Sequence, residues 1–221
     1  MELNSWFTPA RWKLIEKITE KPLSPTELAQ ITKSSVANIT YQLKILEAYG
    51  IVKGETLHTN KSGKPRTIYS LKNKSVYLLI MKEGFSASKI LSLSGIRELI
   101  FTVFFFDEIS KQYLVLKFFL DNYELFDKCD AVALIKDKSD ADLDFLIITK
   151  KVDEIRGKYS NVHIKDEHDK DHKIACWTHS ENELVEGLSK NEKYFLDILK
   201  NNFILYDPNQ IINKIKGGKN N

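Results

Sequence analysis

Apolar residues recur at helical spacing through the first fifty positions and then switch to alternation. Trp12, Ile15 and Ile18, joined by Leu14, predict a first helix over residues 8–20. Thr8 can cap it, and Pro9 suits the first helical position. A second helix is expected from Ser24, where Ser24-Pro25-Thr26-Glu27 forms a capping box. Leu28, Ala29 and Ile31 supply its inner face. After a Thr32-Lys33-Ser34 turn, Val36, Ile39, Leu43 and Leu46 stripe a third helix that runs from about Ser34 or Ser35 to Tyr49, with Gly50 as its C-cap. From there the period falls to two. Ile51–His58 and Arg66–Leu71 read as strands joined by a polar turn that holds Lys61 and Lys64.

The remainder is patterned differently. Val76–Met81 suits either a further strand or the start of a linker. Residues 96–106 and 109–126 read as very apolar helices, with Phe101, Phe104, Phe105, Leu116, Phe118 and Phe119 exceeding one amphipathic stripe. Packing against a C-terminal domain and a dimer interface both explain that excess, and the two are compatible. Beyond residue 129, Ala131–Ile135 and Leu143–Thr149 suit buried strands. A helix over Val152–Tyr159, strands at Val162–Ile164 and Ile174–Trp177, helices over Glu181–Leu188 and Glu192–Asn201, and a strand at Phe203–Tyr206 complete an α/β pattern. The expected class is α+β in three parts: residues 1–74, a helical connector over 75–128, and an α/β domain over 129–221.

Charge separates the first part from the rest. Residues 1–74 hold 12 Lys+Arg against 6 Asp+Glu, whereas the remainder holds 21 against 24. A basic first part suggests a polyanionic partner for that part alone. No secretory leader pattern follows Met1, and the most apolar stretch, Leu99–Phe106, is too short to span a bilayer. The expectation is a cytoplasmic protein with no membrane partner. Cys129 and Cys176 make no disulfide framework and read as free thiols.

The phrase SPTELAQITKSSVANITYQLKILEAYGIVKGE, followed by KSGKPRTIYSL, resembles the ArsR/MarR-like winged helix-turn-helix regulators. The resemblance covers about the first third of the chain. It implies double-stranded DNA as the partner, with the third helix in the major groove. Ser34, Ser35, Asn38, Tyr41 and Gln42 would then face the bases, since Asn and Gln pair bidentately with adenine. Thr40 and Lys44 would flank them as backbone contacts, and Lys61, Lys64 and Arg66 would reach phosphates or the minor groove. By the same analogy a homodimer is expected.

A second pattern, DAVALIKDKSDADLDFLIITKK, resembles the nucleotidyltransferase superfamily, in which paired aspartates opening a strand bind metal. The best register puts Asp142 and Asp144 at the pair, with Mg²⁺ as the implied ion. The departures are large. Lys136-Asp137 stands where Gly-Ser should follow the first strand, and Ile174–Trp177 carries no third carboxylate. A phosphate cradle needs unobstructed backbone N–H groups. The bland alternative is a solvated strand start near Lys150 or Lys151. His163, His168, His172 and His179 gather around Cys176 in sequence. His168 and His172 suit either a solvated charged loop or a zinc or nickel sensor site.

The leading expectation is a DNA-binding transcription regulator whose inactive nucleotidyltransferase-like domain serves assembly or binds a small-molecule or nucleotide effector. The rival is a Mg²⁺-dependent nucleotidyltransferase targeted by its first domain.

Overall fold

The computed structural model describes residues 7–57, 65–136 and 138–217. The architecture is mixed α+β, and the chain divides into two compact units, Met1–Ser92 and Leu93–Asn221. Among the described residues no helix is long and apolar enough to cross a membrane.

In the first unit, α1 (Pro9–Glu20), α2 (Pro25–Thr32) and α3 (Val36–Ala48) precede an antiparallel pair, β1 (Val52–Leu57) and β2 (Arg66–Leu71). Each helix starts where a hydroxyl satisfies the free N–H groups of the first turn: Thr8, Ser24 and Ser35 are the caps. Ser24 and Glu27 complete the reciprocal box. Lys33 closes α2 in the left-handed region at φ 54°, and the Ser34 N–H bonds the Ala29 carbonyl at 3.0 Å. Leu14, Ile18, Leu28, Ile39, Leu43 and Leu46 are buried together with Val52 and Tyr69. Leu23 and Tyr69 exchange backbone hydrogen bonds of 3.0 and 2.8 Å, which pins the start of α2 to β2.

Trp12, Ile31 and Val36, expected on inner faces, are exposed instead. A short helix touching two neighbours buries only a narrow arc, and their neighbours in sequence fill it. Val76–Met81 belongs to β3 (Ser75–Lys82), which pairs with β4 (Phe85–Ser92) in a separate two-stranded sheet. The Glu83-Gly84 turn between them needs the positive φ of +74° that Gly84 supplies. Tyr77 of β3 packs edge-on against Phe7, with ring centroids 5.3 Å apart.

The second unit is a five-stranded sheet in the order β7-β8-β6-β5-β9, covered by helices on both faces. Its strands are β5 (Ala131–Ile135), β6 (Leu143–Ile148), β7 (Asn161–Lys165), β8 (Asp171–His179) and β9 (Asn202–Tyr206). Only the β6–β8 pairing is parallel. β5 and β6 are buried along their whole length, as their apolar residues require, with Asp144 the one charged side chain buried among them. One face packs on α4 (Ile96–Val103), α5 (Ile109–Asp121), α6 (Tyr123–Phe126) and α7 (Val152–Tyr159), with Phe118 stacked on Phe145 at 5.2 Å. The other packs on α8 (Glu181–Ser189), α9 (Lys193–Lys200) and α10 (Ile211–Gly217).

The stretch expected as a connector is thus divided: β3 and β4 lie in the first unit, and α4 to α6 supply core to the second. The helix expected over 109–126 breaks at Asn122, whose side-chain amide bonds the Phe118 carbonyl at 2.8 Å and leaves the backbone outside helical geometry. The charged stretch before Ile174 is a hairpin and not a loop, because Ile164 pairs with His172 and Lys165 with Asp171. α10 was not expected. It is held by Asp207, whose carboxylate accepts from the Ile211 and Ile212 N–H groups at 2.7 and 2.9 Å.

Candidate nucleic-acid interface and the aspartate pair

The expected reading residues gather on α3. Ser35 caps the helix by accepting from the Asn38 N–H at 3.2 Å. Asn38 donates through Nδ2 to Ser34 Oγ at 3.0 Å, and Gln42 donates through Nε2 to Asn38 Oδ1 at 3.4 Å. Positions four apart share a helix face, so these three side chains form one row. The row continues off the helix: Arg11 Nε, on α1, donates to Gln42 Oε1 at 2.7 Å. Ser35 and Asn38 are exposed, and Ser34 and Gln42 are half-buried. Tyr41 is 62% exposed, as its position opposite the buried Ile39, Leu43 and Leu46 dictates.

Thr40 and Lys44 fall on the flank beyond Tyr41. The Thr40 hydroxyl is turned onto its own helix and donates to the Val36 carbonyl at 2.8 Å, whereas the Lys44 side chain is exposed. Lys61 and Lys64 lie outside the described residues. Arg66 opens β2, and its guanidinium is committed to the start of α2, 2.8 Å from Ser24 Oγ and 3.0 Å from Glu27 Oε2. The Glu27 carboxylate is held below its ordinary range by its bonds from Ser24, with Arg66 adding to the effect. The arginine expected at phosphates therefore braces the first unit internally. Arg11 escaped sequence reading, because nothing local links it to a residue 31 positions away.

The two aspartates expected to hold metal are each occupied by protein donors. Asp144 is only 3% exposed. It accepts from Ser139 N–H at 3.0 Å, Ser139 Oγ at 2.7 Å and Trp177 Nε1 at 2.8 Å. Asp142 accepts from the Lys173 N–H at 2.9 Å and lies 3.2 Å from His172 Nδ1. Burial opposes ionisation of Asp142, but the Lys173 N–H and then His172 outweigh it and lower its pKa. Asp140 pairs with Lys173 Nζ at 2.9 Å. The partners of the three aspartates are therefore Ser139, Trp177, His172 and Lys173, and not Lys150 or Lys151.

Asp144 pairs across the parallel ladder with Ala175, two residues before Trp177, so the indole projects on the carboxylate's own face of the sheet. A divalent ion bound by oxygen needs carboxylate lone pairs free to coordinate. Here both carboxylates accept from protein donors, and the pair does not fit such an ion. Asp137 lies outside the described residues. A cavity of about 270 Å³ adjoins both aspartates and is lined by Phe106, Lys111 and Lys136.

The histidines do not converge. His163 pairs with Asp171 at 2.6 Å, while His168 is exposed near Glu167. His179 bonds the Tyr194 hydroxyl at 2.8 Å, and burial lowers its pKa. His172, expected in a solvated loop, is buried between Asp166, 3.1 Å from Nε2, and Asp142. The bond to Asp166 raises the His172 pKa against the effect of burial, and His172 in turn draws Asp166 down to about 2. Burial pushes the Cys129 thiol up to about 12 and the Cys176 thiol higher still, so neither is a ready nucleophile. Among the described residues no group of three or more His, Cys, Asp or Glu side chains could hold a metal ion.

Residues 6–70 match the family model HVO_A0114, which covers the three helices and most of β2. No curated protein matches the chain.

Proposed function

We propose that the domain expected over residues 1–74 is a winged helix that binds double-stranded DNA and that the protein is a transcription regulator. The observation that carries this reading is the hydrogen-bonded row Ser34–Asn38–Gln42–Arg11 along the accessible side of α3. Amide and guanidinium groups are the side chains that read base edges in the major groove. Fixing them in one row lowers the conformational entropy lost on binding. The net positive charge of the first 74 residues supplies attraction to phosphate.

The second unit is read as a nucleotidyltransferase-like fold that has lost transfer chemistry. Its aspartates hold strands and turns together through Ser139, Trp177, Lys173 and His172, so the unit serves effector binding or assembly.

The test is selection of bound duplexes from a random pool, followed by a salt series on the enriched sequence. The expected result is enrichment of a defined sequence, with log affinity falling linearly in log salt. No enrichment, together with an affinity indifferent to salt, overturns the reading.

A further inference from the structure

Helix α5 has two apolar faces where a surface helix needs one. Leu114, Val115, Phe118 and Phe119 are buried in the second unit's core. On the other side Ile109, Tyr113, Leu116 and Leu120 follow each other at steps of four, three and four, the spacing of a coiled-coil seam. Ile109 is 79% exposed, Tyr113 41% and Leu120 57%, with Leu116 half-buried between them. Phe104 and Phe105, the latter 79% exposed, close α4 just ahead of this stripe.

We propose that this face is a homodimer interface in which two copies of α5 pack antiparallel, Ile109 against the partner's Leu120 and Tyr113 against the partner's Leu116. Three observations select a second copy of the chain as the occupant. The stripe is symmetric about the midpoint between Leu114 and Val115, so reversing the helix superposes large apolar positions on one another. A twofold interface requires that self-match.

The charges beside the stripe cancel within one copy. Lys117, which flanks the stripe, pairs with Asp121 at 2.8 Å, so two identical faces meet without net repulsion. The area also suffices. At roughly 200 Å² for a large side chain, the exposed fractions amount to on the order of 600 Å² of apolar surface. A homodimer interface of about 800–900 Å² per partner, about 65% apolar, needs roughly that much. Antiparallel alignment further sets the two helix dipoles in opposition. The inference stands apart from DNA binding, although a twofold pair would present two copies of α3, as palindromic sites require.

The experiment is sedimentation of the full chain against concentration, with circular dichroism as the check on folding. The expected result is a particle of twice the 25.6 kDa chain mass. Ile109→Glu with Leu120→Glu brings carboxylates together at the seam and should weaken dimerisation on the order of a hundredfold while leaving the helical signal unchanged. Orientation is read by a short bis-maleimide. Ile109→Cys combined with Leu120→Cys should cross-link two chains, whereas Ile109→Cys alone should not exceed the wild-type background from Cys129 and Cys176.

A wild-type chain that stays monomeric to about 100 µM overturns the proposal, since an interface of this size associates well below that. A dimer that survives the double Glu substitution also overturns it. Duplex binding measured on the same samples separates the two readings. A monomer that binds duplex DNA overturns the dimer alone, and a dimer without duplex affinity supports it while the DNA reading fails.

Discussion

Asn38→Ala separates base reading from folding. Asn38 is exposed, and its two side-chain bonds, to Ser34 at 3.0 Å and from Gln42 at 3.4 Å, lie in solvent. A surface substitution of this kind changes stability by less than about 0.5 kcal/mol. Alanine also favours the helix over asparagine, so the first unit should melt at the wild-type temperature or slightly above it. If Asn38 reads an adenine edge, its loss removes a bidentate contact that contributes about 1–3 kcal/mol of discrimination. That corresponds to roughly 5- to 150-fold weaker binding to the selected duplex. Binding to a scrambled duplex should not change, because phosphate contacts carry no sequence information.

Lys44→Ala is the counterpart. It should weaken both duplexes alike and reduce the salt slope by about 1. The assay is fluorescence anisotropy with both duplexes from about 50 to 200 mM salt. If Asn38→Ala weakens the selected and scrambled duplexes by the same factor, or neither, then α3 does not read bases and the assignment of this face is wrong.

Trp177→Phe keeps the ring but removes the donor from buried Asp144, and should lower second-unit stability by about 1–3 kcal/mol, seen as a thermal shift of several degrees. His172→Gln tests the Asp142–His172–Asp166 cluster by chemical denaturation across pH. The raised His172 pKa means its stabilisation is complete below about 6.5 and is lost as pH rises through the folded value. Asp166, drawn to about 2, stabilises above about 3.9 and loses that as pH falls towards 2, so the wild type should show its cluster-dependent maximum between about 4 and 6.5 and the variant a flatter profile. Gly187→Ala places a methyl 2.0 Å from Phe195 Cδ2 and should destabilise the second unit by about 1–3 kcal/mol or more, with partial rescue by Phe195→Leu in the same melt.

Local chemistry made much of the first unit legible. Thr8 and Ser24 announced two helix starts, and the third was narrowed to Ser34 or Ser35, because a hydroxyl before a helical stripe has one favourable use. Leu28, Leu43 and Leu46 marked the inner faces by period alone. The buried runs of β5 and β6 were equally plain. β4 was not, since Phe85–Ser92 mixes serines and a lysine without clean alternation and forms a strand by pairing with β3.

The side-chain partners were a different matter. Sequence placed Asp142 and Asp144 at the opening of a strand, where carboxylates can hold metal. Only the folded chain brings the Trp177 indole, more than thirty positions away, against Asp144 as a donor, and His172, about thirty positions away, beside Asp142. Arg66 reads as a basic wing residue until β2 pairs and its guanidinium meets Ser24 and Glu27. Helix propensity, capping and period act over a few residues and are written into the sequence. Which donor satisfies a buried carboxylate, and whether a cation remains available for a ligand, depends on distances across elements that packing alone sets.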